Sequence, residues 1–337
     1  MDTKTPMQVR HSTPAARDRW TEPVSAAVVV CAFSLARLEQ TRRCLSEVRR
    51  GKRLPKELIV VVDNNPELLR RLRETESRDA IVLENAGRGL SAGRNTGLRM
   101  ASTEVVVFLD DDAWPEEGWL EAMLDPFGNP AVIGVGGHAT PDWEDPSRAL
   151  PPELYWVVGS TYRGHRADAG PISRPIGVSM AVRREALLQL GGFSSDFGRS
   201  GKTGSNEELA MFSEVARHFG EDRVWFAPAA KVHHFAPASR CSTPYLLRRS
   251  AMEGRSKAEI RTRYGKSAMA HDRSYVRNII GRAVLRYGLL ACCRVDRCAL
   301  RHCFQVLGCF IVTAAAYSYY RAQAVLRGLL QLQVAAR

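Results

Sequence analysis

The chain has 337 residues, enough for one large domain or two modest ones, and its 45% hydrophobic and 25% charged content is that of an ordinary globular protein. A formal net charge of +12 is not ordinary and points to a polyanionic partner: nucleic acid, an anionic membrane or a phosphorylated substrate. Residues 1–25 are polar and carry no apolar h-region, so they read as a disordered leader rather than a secretory signal. From Ala26 apolar strands alternate with helices. "AAVVVCAF" is a continuous buried strand, and "LARLEQTRRCLSEVRR" sets Leu38, Cys44, Leu45 and Val48 on one helical face. "ELIVVVDNNP" is a second strand closed by a turn, followed by a short charged helix and the strand "AIVLEN". "GRGLSAGRNTGLRMAS" is a glycine-rich loop running into a helix; "EVVVFLDDD" is the next strand, and Pro115 is expected at the first position of the helix after it.

Such alternation predicts an α/β fold with a mostly parallel sheet flanked by helices, and ligands in such sheets bind at the carboxyl ends of the strands. Asp63 and the triplet Asp110–Asp112 lie at those ends. Beyond residue 130 the pattern loosens: "AVIGVGG" and "PIGVSMAV" read as strands around a loop-rich stretch, "RREALLQLGGF" and "NEELAMFSEVARHFG" as helices, and "RVWFAPAAKVHHF" as a strand ending in a histidine pair. Between Arg240 and Arg301, 15 Lys plus Arg stand against 4 Asp plus Glu. Residues 302–320 then carry no Asp, Glu, Lys or Arg; at about 1.5 Å per residue they are just long enough to cross a hydrocarbon core. A basic segment beside an apolar helix with clustered tyrosines reads as attraction to anionic lipid, the alternative being a buried C-terminal helix. The expected organisation is a leader (1–25), an α/β domain (26–240), a basic helical segment (241–301) and an apolar helix that is a possible membrane anchor (302–337). The eight cysteines lack the paired spacing of a zinc site and read as reduced, small, apolar fillers in a cytosolic chain.

Three adjacent carboxylates repel one another, so a divalent cation, a cationic ligand or plain hydration must offset the cost. Mg²⁺ and Mn²⁺ take oxygen ligands and are commonly shared between carboxylates and substrate phosphates. Alternation along an extended chain would put Asp110 and Asp112 on one face and Asp111 on the other. Gly87, Gly89 and Gly93 resemble a dinucleotide fingerprint, but the spacing before the last glycine is too long and the loop follows the third strand rather than the first. No nucleic-acid module with interleaved aromatics is visible.

Asp63, "GLSAGRNTG" and "FLDDD", in this order, resemble the inverting nucleotide-sugar glycosyltransferases of family two, with the GT-A fold. "PIGVSMAVRREALLQLGGF", "SNEELAMF" and "VHHF" extend the match to roughly residues 26–260. "VVVDNNPELL", "WVVGSTYRG" and "YLLRRSAMEGRSKA" resemble a membrane-associated branch related to archaeal glucosyl-dolichyl-phosphate glucuronosyltransferase. The resemblance implies a metal-bound nucleoside diphosphate sugar, with a UDP-sugar as the expected donor. Asp63, Asn64, Arg94, Asn95, Asp110 and Asp111 would contact it; Asp112, Asp110 and His234 would hold Mg²⁺ or Mn²⁺. Glu208, or its neighbour Glu207, would be the general base, and Arg249 and Arg255 would neutralise a diphosphate or lipid phosphate. The family's acid pair often ends in Asp, whereas here it is Glu-Glu, which leaves the base open between two positions. The function expected is inverting transfer to a hydroxyl or phosphate acceptor, lipid-linked, on the cytoplasmic face of the membrane. The rivals are transfer to a soluble small molecule and a non-catalytic basic protein on the same scaffold, binding membrane or nucleic acid. Sugar choice would fall to the loop-rich middle around Trp143, Tyr155 and Trp156.

Overall fold

A computed structural model describes residues 24–195, 207–265 and 274–335, with side chains to residue 327. Of the expected leader, residues 1–23 lie outside the described residues. The sheet is built from β1 (Ala26–Ala32), β2 (Glu57–Val62), β3 (Ile81–Glu84), β4 (Val105–Asp110), β5 (Ala113–Pro115), β6 (Gly134–Trp143), β7 (Gly170–Pro171), β8 (Ser179–Arg183) and β9 (Val224–Ala236), in the order β3-β2-β1-β4-β8-β6-β9-β5, with β7 beside β9. Strands β3, β2, β1 and β4 are parallel. The other half is mixed: β8 runs antiparallel to β4 and β6, β9 is parallel to β6, and β5 and β7 are antiparallel to β9.

The parallel half is apolar on both faces because helices cover both. Val28, Val30, Val60 and Val107 pack toward α1 (Leu38–Arg50), α2 (Pro66–Glu76) and α4 (Trp119–Leu124), with α3 (Leu90–Met100) on the opposite face. Val29, Ile59, Val106 and Phe108, one residue out of phase, pack toward α3, α5 (Arg184–Gln189) and α6 (Glu207–Phe219). Each such fully buried side chain contributes about 1.5–3 kcal/mol. The expected face of α1 is the buried one: Leu38, Cys44, Leu45 and Val48 all sit in the first core. The order in which successive parallel strands are added reverses at β1, with β2 on one side and β4 on the other, and a crevice at the carboxyl ends of strands is expected at such a switch. The acid triplet lies at that point.

Pro115 does not open a helix. It closes β5, paired with Val232, and α4 starts at Trp119 after Gly118, whose φ of 79° needs no Cβ. The antiparallel pairing of β5 with β9 wins over the local proline preference. Its consequence is functional, because it sets His234 opposite Ala113, next to the acids.

The basic stretch folds as α7 (Thr243–Tyr264), a π turn (Val276–Ile280) and α8 (Gly281–Arg294). The apolar stretch belongs to α9 (Arg297–Ala335), capped by Asp296, whose Oδ1 accepts from the backbone N–H of Cys298 (2.8 Å) and Ala299 (3.1 Å). A third core joins these helices to the 3-10 turn Pro152–Val158. Buried Glu153 ties that turn to α8: it accepts from Arg163 (2.9 Å), Arg286 (3.3 Å) and the Tyr287 hydroxyl (3.0 Å). Helices α7 and α9 run side by side. Gly254 lets them touch, since a Cβ there would collide with the Thr313 carbonyl oxygen. The eight cysteines form no disulfide in the structure. Cys292, Cys293 and Cys298 are exposed rather than filling a core, while Leu290, Ala291 and Ala299 beside them take the faces that pack into the third core.

Candidate active site

At the end of β2, Asp63 organises the glycine loop: its Oδ1 accepts from Asn85 Nδ2 (2.8 Å) and its Oδ2 from the N–H of Gly89 (3.0 Å). Gly89 sits at φ 85°, where the loop turns sharply into α3. Asn64 is exposed at the sheet edge in the left-handed region, φ 48°. Asn95 faces away from the cleft, with both ends of its amide spent on the backbone of Phe193, at 2.8 Å each.

The three aspartates are each answered by cations. Asp111 accepts from Arg37 Nη1 at 2.9 Å. Asp112 has Arg37 Nη2 at 3.0 Å on one oxygen and His234 Nε2 at 3.3 Å on the other. Asp110, the more open of the three, lies 3.3 Å from Arg94 Nη2. The triplet is therefore neither a hydrated turn nor a naked cluster. Burial, then Asp112 beside it, pushes the Asp111 carboxyl up to about 7 against the pull of Arg37. Burial raises Asp112 as well, but His234, Arg37 and Arg240 together outweigh it and hold that carboxyl below the usual carboxylate range.

Asp110, Asp112 and His234 each offer a ligand atom within 4.8 Å of the others, while Asp111 turns to Arg37 instead. Two hard carboxylates and one imidazole within that distance are a donor set that fits a divalent cation of the Mg²⁺ or Mn²⁺ kind.

Arg94 links this group to the acid pair. Buried at 2% exposure, it donates to Asp110 (3.3 Å), to Glu207 Oε1 (3.2 Å) and to the carbonyl of Gly177 (2.9 Å), and its guanidinium lies over the Phe193 ring. Glu207 is thus committed to an ion pair. Glu208 is pushed up to about 7, first by burial and next by the Glu207 charge, with Arg94 and Arg249 pulling the other way. The two adjacent glutamates, equivalent in the sequence, are chemically distinct in the fold.

A cleft of about 530 Å³ is lined by Asp110, His234, Arg94, Glu207, Glu208 and Arg249, with the N-terminal Leu90 of α3 at one wall. Arg255 is not brought to it. That side chain is exposed on the outer side of α7, stacked on Tyr320 at 5.1 Å. Sequence reasoning missed Arg37 and Arg240, both set against the acids. Arg37 follows the first strand at the same sheet edge, and charge complementarity to the triplet was the available signal.

An α/β sheet with a metal-competent Asp-x-Asp edge and a half-buried carboxylate lining the same cleft is the arrangement of a GT-A glycosyltransferase. Residues 27–191 match the family model "Glycosyl transferase family 2". Glucosyl-dolichyl phosphate glucuronosyltransferase of Haloferax volcanii is 31% identical over 240 residues, covering 69% of this chain and 76% of that protein. The chain belongs to glycosyl transferase family 2. The mannosyltransferase PcManGT from Pyrobaculum calidifontis, solved with GDP-Man and Mn²⁺, superposes with a TM-score of 0.57 over 89% of this chain and 88% of that one, at 21% identity. GalNAc-T7, solved with UDP, GalNAc and Mn²⁺, gives 0.50 over 77% and 57%, at 16% identity. These two likenesses speak to the fold. The helix from Arg297 to Arg327 is long and apolar enough to cross a membrane, with a mean hydropathy of 1.5 in its most apolar window.

Proposed function

We propose that the protein transfers a sugar, with inversion, from a UDP-sugar or related nucleoside diphosphate sugar to a hydroxyl on a lipid-linked acceptor. The observation that carries this reading is that Asp110, His234 and Glu208 line one cleft. Asp110, Asp112 and His234 would hold the cation, Mg²⁺ or Mn²⁺, which when bound supplies Lewis-acid stabilisation of the charge building on the diphosphate. The two solved relatives bind nucleotides or nucleotide sugars with Mn²⁺, which favours this donor class. Glu208 takes the proton of the acceptor hydroxyl as its oxygen bonds to the anomeric carbon; the bond to the diphosphate breaks and its electron pair leaves with the nucleotide. Glu207, held by Arg94, keeps Glu208 basic by its nearby charge. A base with a value near 7 suits a hydroxyl, whereas an ionised phosphate acceptor needs none. Asp63 and the N-terminus of α3 would shape the nucleotide's seat.

The lipid-linked acceptor and the cytoplasmic membrane face rest on α9, on the cationic helices before it and on the named activity of the Haloferax relative. Purified full-length protein supplied with nucleotide sugars should release nucleoside diphosphate only with a divalent cation. Asp112→Asn should lower that release by about a hundredfold or more, as expected for loss of a first ligand. Equal rates for variant and wild type would remove the metal-assisted mechanism, and a product keeping the donor's anomeric configuration would remove inversion.

A further inference from the structure

Glu153 is a buried carboxylate that the proposed chemistry does not use. It stands in the first turn of the 3-10 segment Pro152–Val158 and is 1% exposed, so its charge needs partners from elsewhere in the fold. Arg163 and Arg286 donate to its Oε1 and the Tyr287 hydroxyl to its Oε2, while the Tyr275 hydroxyl donates to its backbone carbonyl. Arg286 and Tyr287 belong to α8, so the start of the segment is pinned to the helical layer. Leu154, Val157 and Val158 bury the segment's apolar side in the third core.

The other end of the segment reaches the sheet edge. Gly159 closes it at φ 77°, with its N–H on the Trp156 carbonyl at 3.1 Å. A Cβ at Gly159 would stand 3.1 Å from Cε1 of His234 and 3.5 Å from its Nδ1, so the bare glycine lets the backbone close on the imidazole. Two residues on, Thr161 is bonded both ways to Ala139 of β6: its N–H donates to the carbonyl at 2.8 Å, and its hydroxyl oxygen accepts from the N–H at 3.0 Å. The chain is therefore held both before and after Gly159. His234 is 3% exposed, with Gly159 along one edge of its ring and Asp112 Oδ1 at 3.3 Å from Nε2.

We propose that Glu153 is a positioning residue for the cation site: through Arg163, Arg286 and Tyr287 it fixes the segment whose Gly159 end keeps the His234 imidazole turned toward Asp110 and Asp112. The inference rests on the cation site of the transferase reading. Replacing a buried ion pair by packed apolar side chains is often neutral for stability, and here the network serves position instead. The link runs through α8, not through the contact of α7 with α9.

Mn²⁺ binding tests it without turnover. Full-length protein in detergent is titrated with Mn²⁺, and the free ion is read by electron paramagnetic resonance. Glu153→Gln keeps the size and removes the charge; Mn²⁺ affinity should fall about tenfold, the usual cost of losing a group that orients a ligand. Tyr287→Phe removes one hydrogen bond and should cost about threefold. Gly159→Ala pushes on the ring itself and should cost at least as much as Glu153→Gln. The decisive arm is the same set in a His234→Ala background. A residue that acts through His234 has nothing left to position there, so Glu153→Gln should change affinity by less than about twofold. A merely structural role would lower the melting temperature and leave Mn²⁺ affinity unchanged below it, or weaken it equally with and without His234. Either result would overturn the proposal. If Glu153→Gln fails to fold, Tyr287→Phe and Gly159→Ala are read against the same two outcomes. Binding by the wild type with indifferent variants removes only this inference, whereas no saturable Mn²⁺ binding by the wild type removes the cation site and this inference with it.

Discussion

The sheet edge and the C-terminal helical layer both crowd like charges, and they resolve the crowding in opposite ways. At the edge, Asp110, Asp111 and Asp112 are each met by an arginine from another part of the chain, Arg94 or Arg37, with the His234 imidazole also beside Asp112. Around α7 the arrangement is inverted: one buried acid, Glu253, gathers Lys257 (3.2 Å), Arg174 (3.7 Å) and Arg249 (3.8 Å). The edge spreads its cations over three acids, whereas the helical layer gathers three cations on one. Buried charge is tolerated only when paired, and in both regions the pairing joins segments far apart in the sequence.

The largest effect should come from Glu208, which feels a cation from each region, Arg94 and Arg249. Glu208→Gln removes the proposed proton acceptor and should lower transfer by about 10²–10⁴-fold while leaving donor binding in place. With its value near 7, the wild type should gain rate as pH rises through 7, as the carboxyl loses its proton, and Glu208→Gln should lose that limb. Stability runs the other way. The folded state keeps the Glu208 proton that the unfolded chain releases near 4.5, so the stabilisation is complete below that pH and is lost as pH rises through about 7. Glu208→Gln should therefore melt higher than wild type at pH 8 and not at pH 4. If the two melt alike at pH 8, the side chain is not the raised, desolvated acid described.

Arg37→Ala sharpens the other half of the comparison. It strips Asp111 of its partner and Asp112 of one of two, leaving buried like charges side by side, and should destabilise the fold by about 3 kcal/mol in chemical denaturation. A loss under 1 kcal/mol would mean that hydration, not Arg37, balances the triplet. This contact also marks where the sequence stops being legible. The parallel strands and their helices are visible as apolar runs and 3.6-residue stripes, and Asp110, Asp112 and His234 are visible as a ligand-type set. Asp111's turn toward Arg37, the separation of Glu207 from Glu208 by Arg94, and the burial of Arg240 all depend on pairings across the fold, which local pattern does not encode. Pro115 is the clearest case: its local preference for a helix start gives way to the pairing of β5 with β9.

Gly254→Leu tests the helical layer. Its side chain would meet the Thr313 carbonyl and the Ala316 methyl, forcing α9 away from α7. Overpacking of this kind costs about 1–3 kcal/mol. The expected outcome is a lower melting temperature with cation-dependent nucleotide release intact, since the sheet edge does not touch this contact. Loss of release at a temperature where the variant is still folded would show the two regions to be mechanically coupled.

The smallest effect belongs to Arg255. It shares α7 with Arg249, six residues on, and the two are indistinguishable as basic residues in the sequence. In the fold Arg249 lines the cleft, whereas Arg255 is exposed and stacked on Tyr320, a contact worth about 0.5–1 kcal/mol at an open site. Arg255→Gln should therefore leave transfer within about twofold of wild type, a change of under 0.5 kcal/mol in barrier. Arg249→Gln, removing the same charge from the same helix, should impair it at least tenfold if its charge serves the transition state. Net charge is equal in the two variants, so a general electrostatic pull on an anionic surface predicts equal losses, and only a site-specific role for Arg249 predicts unequal ones.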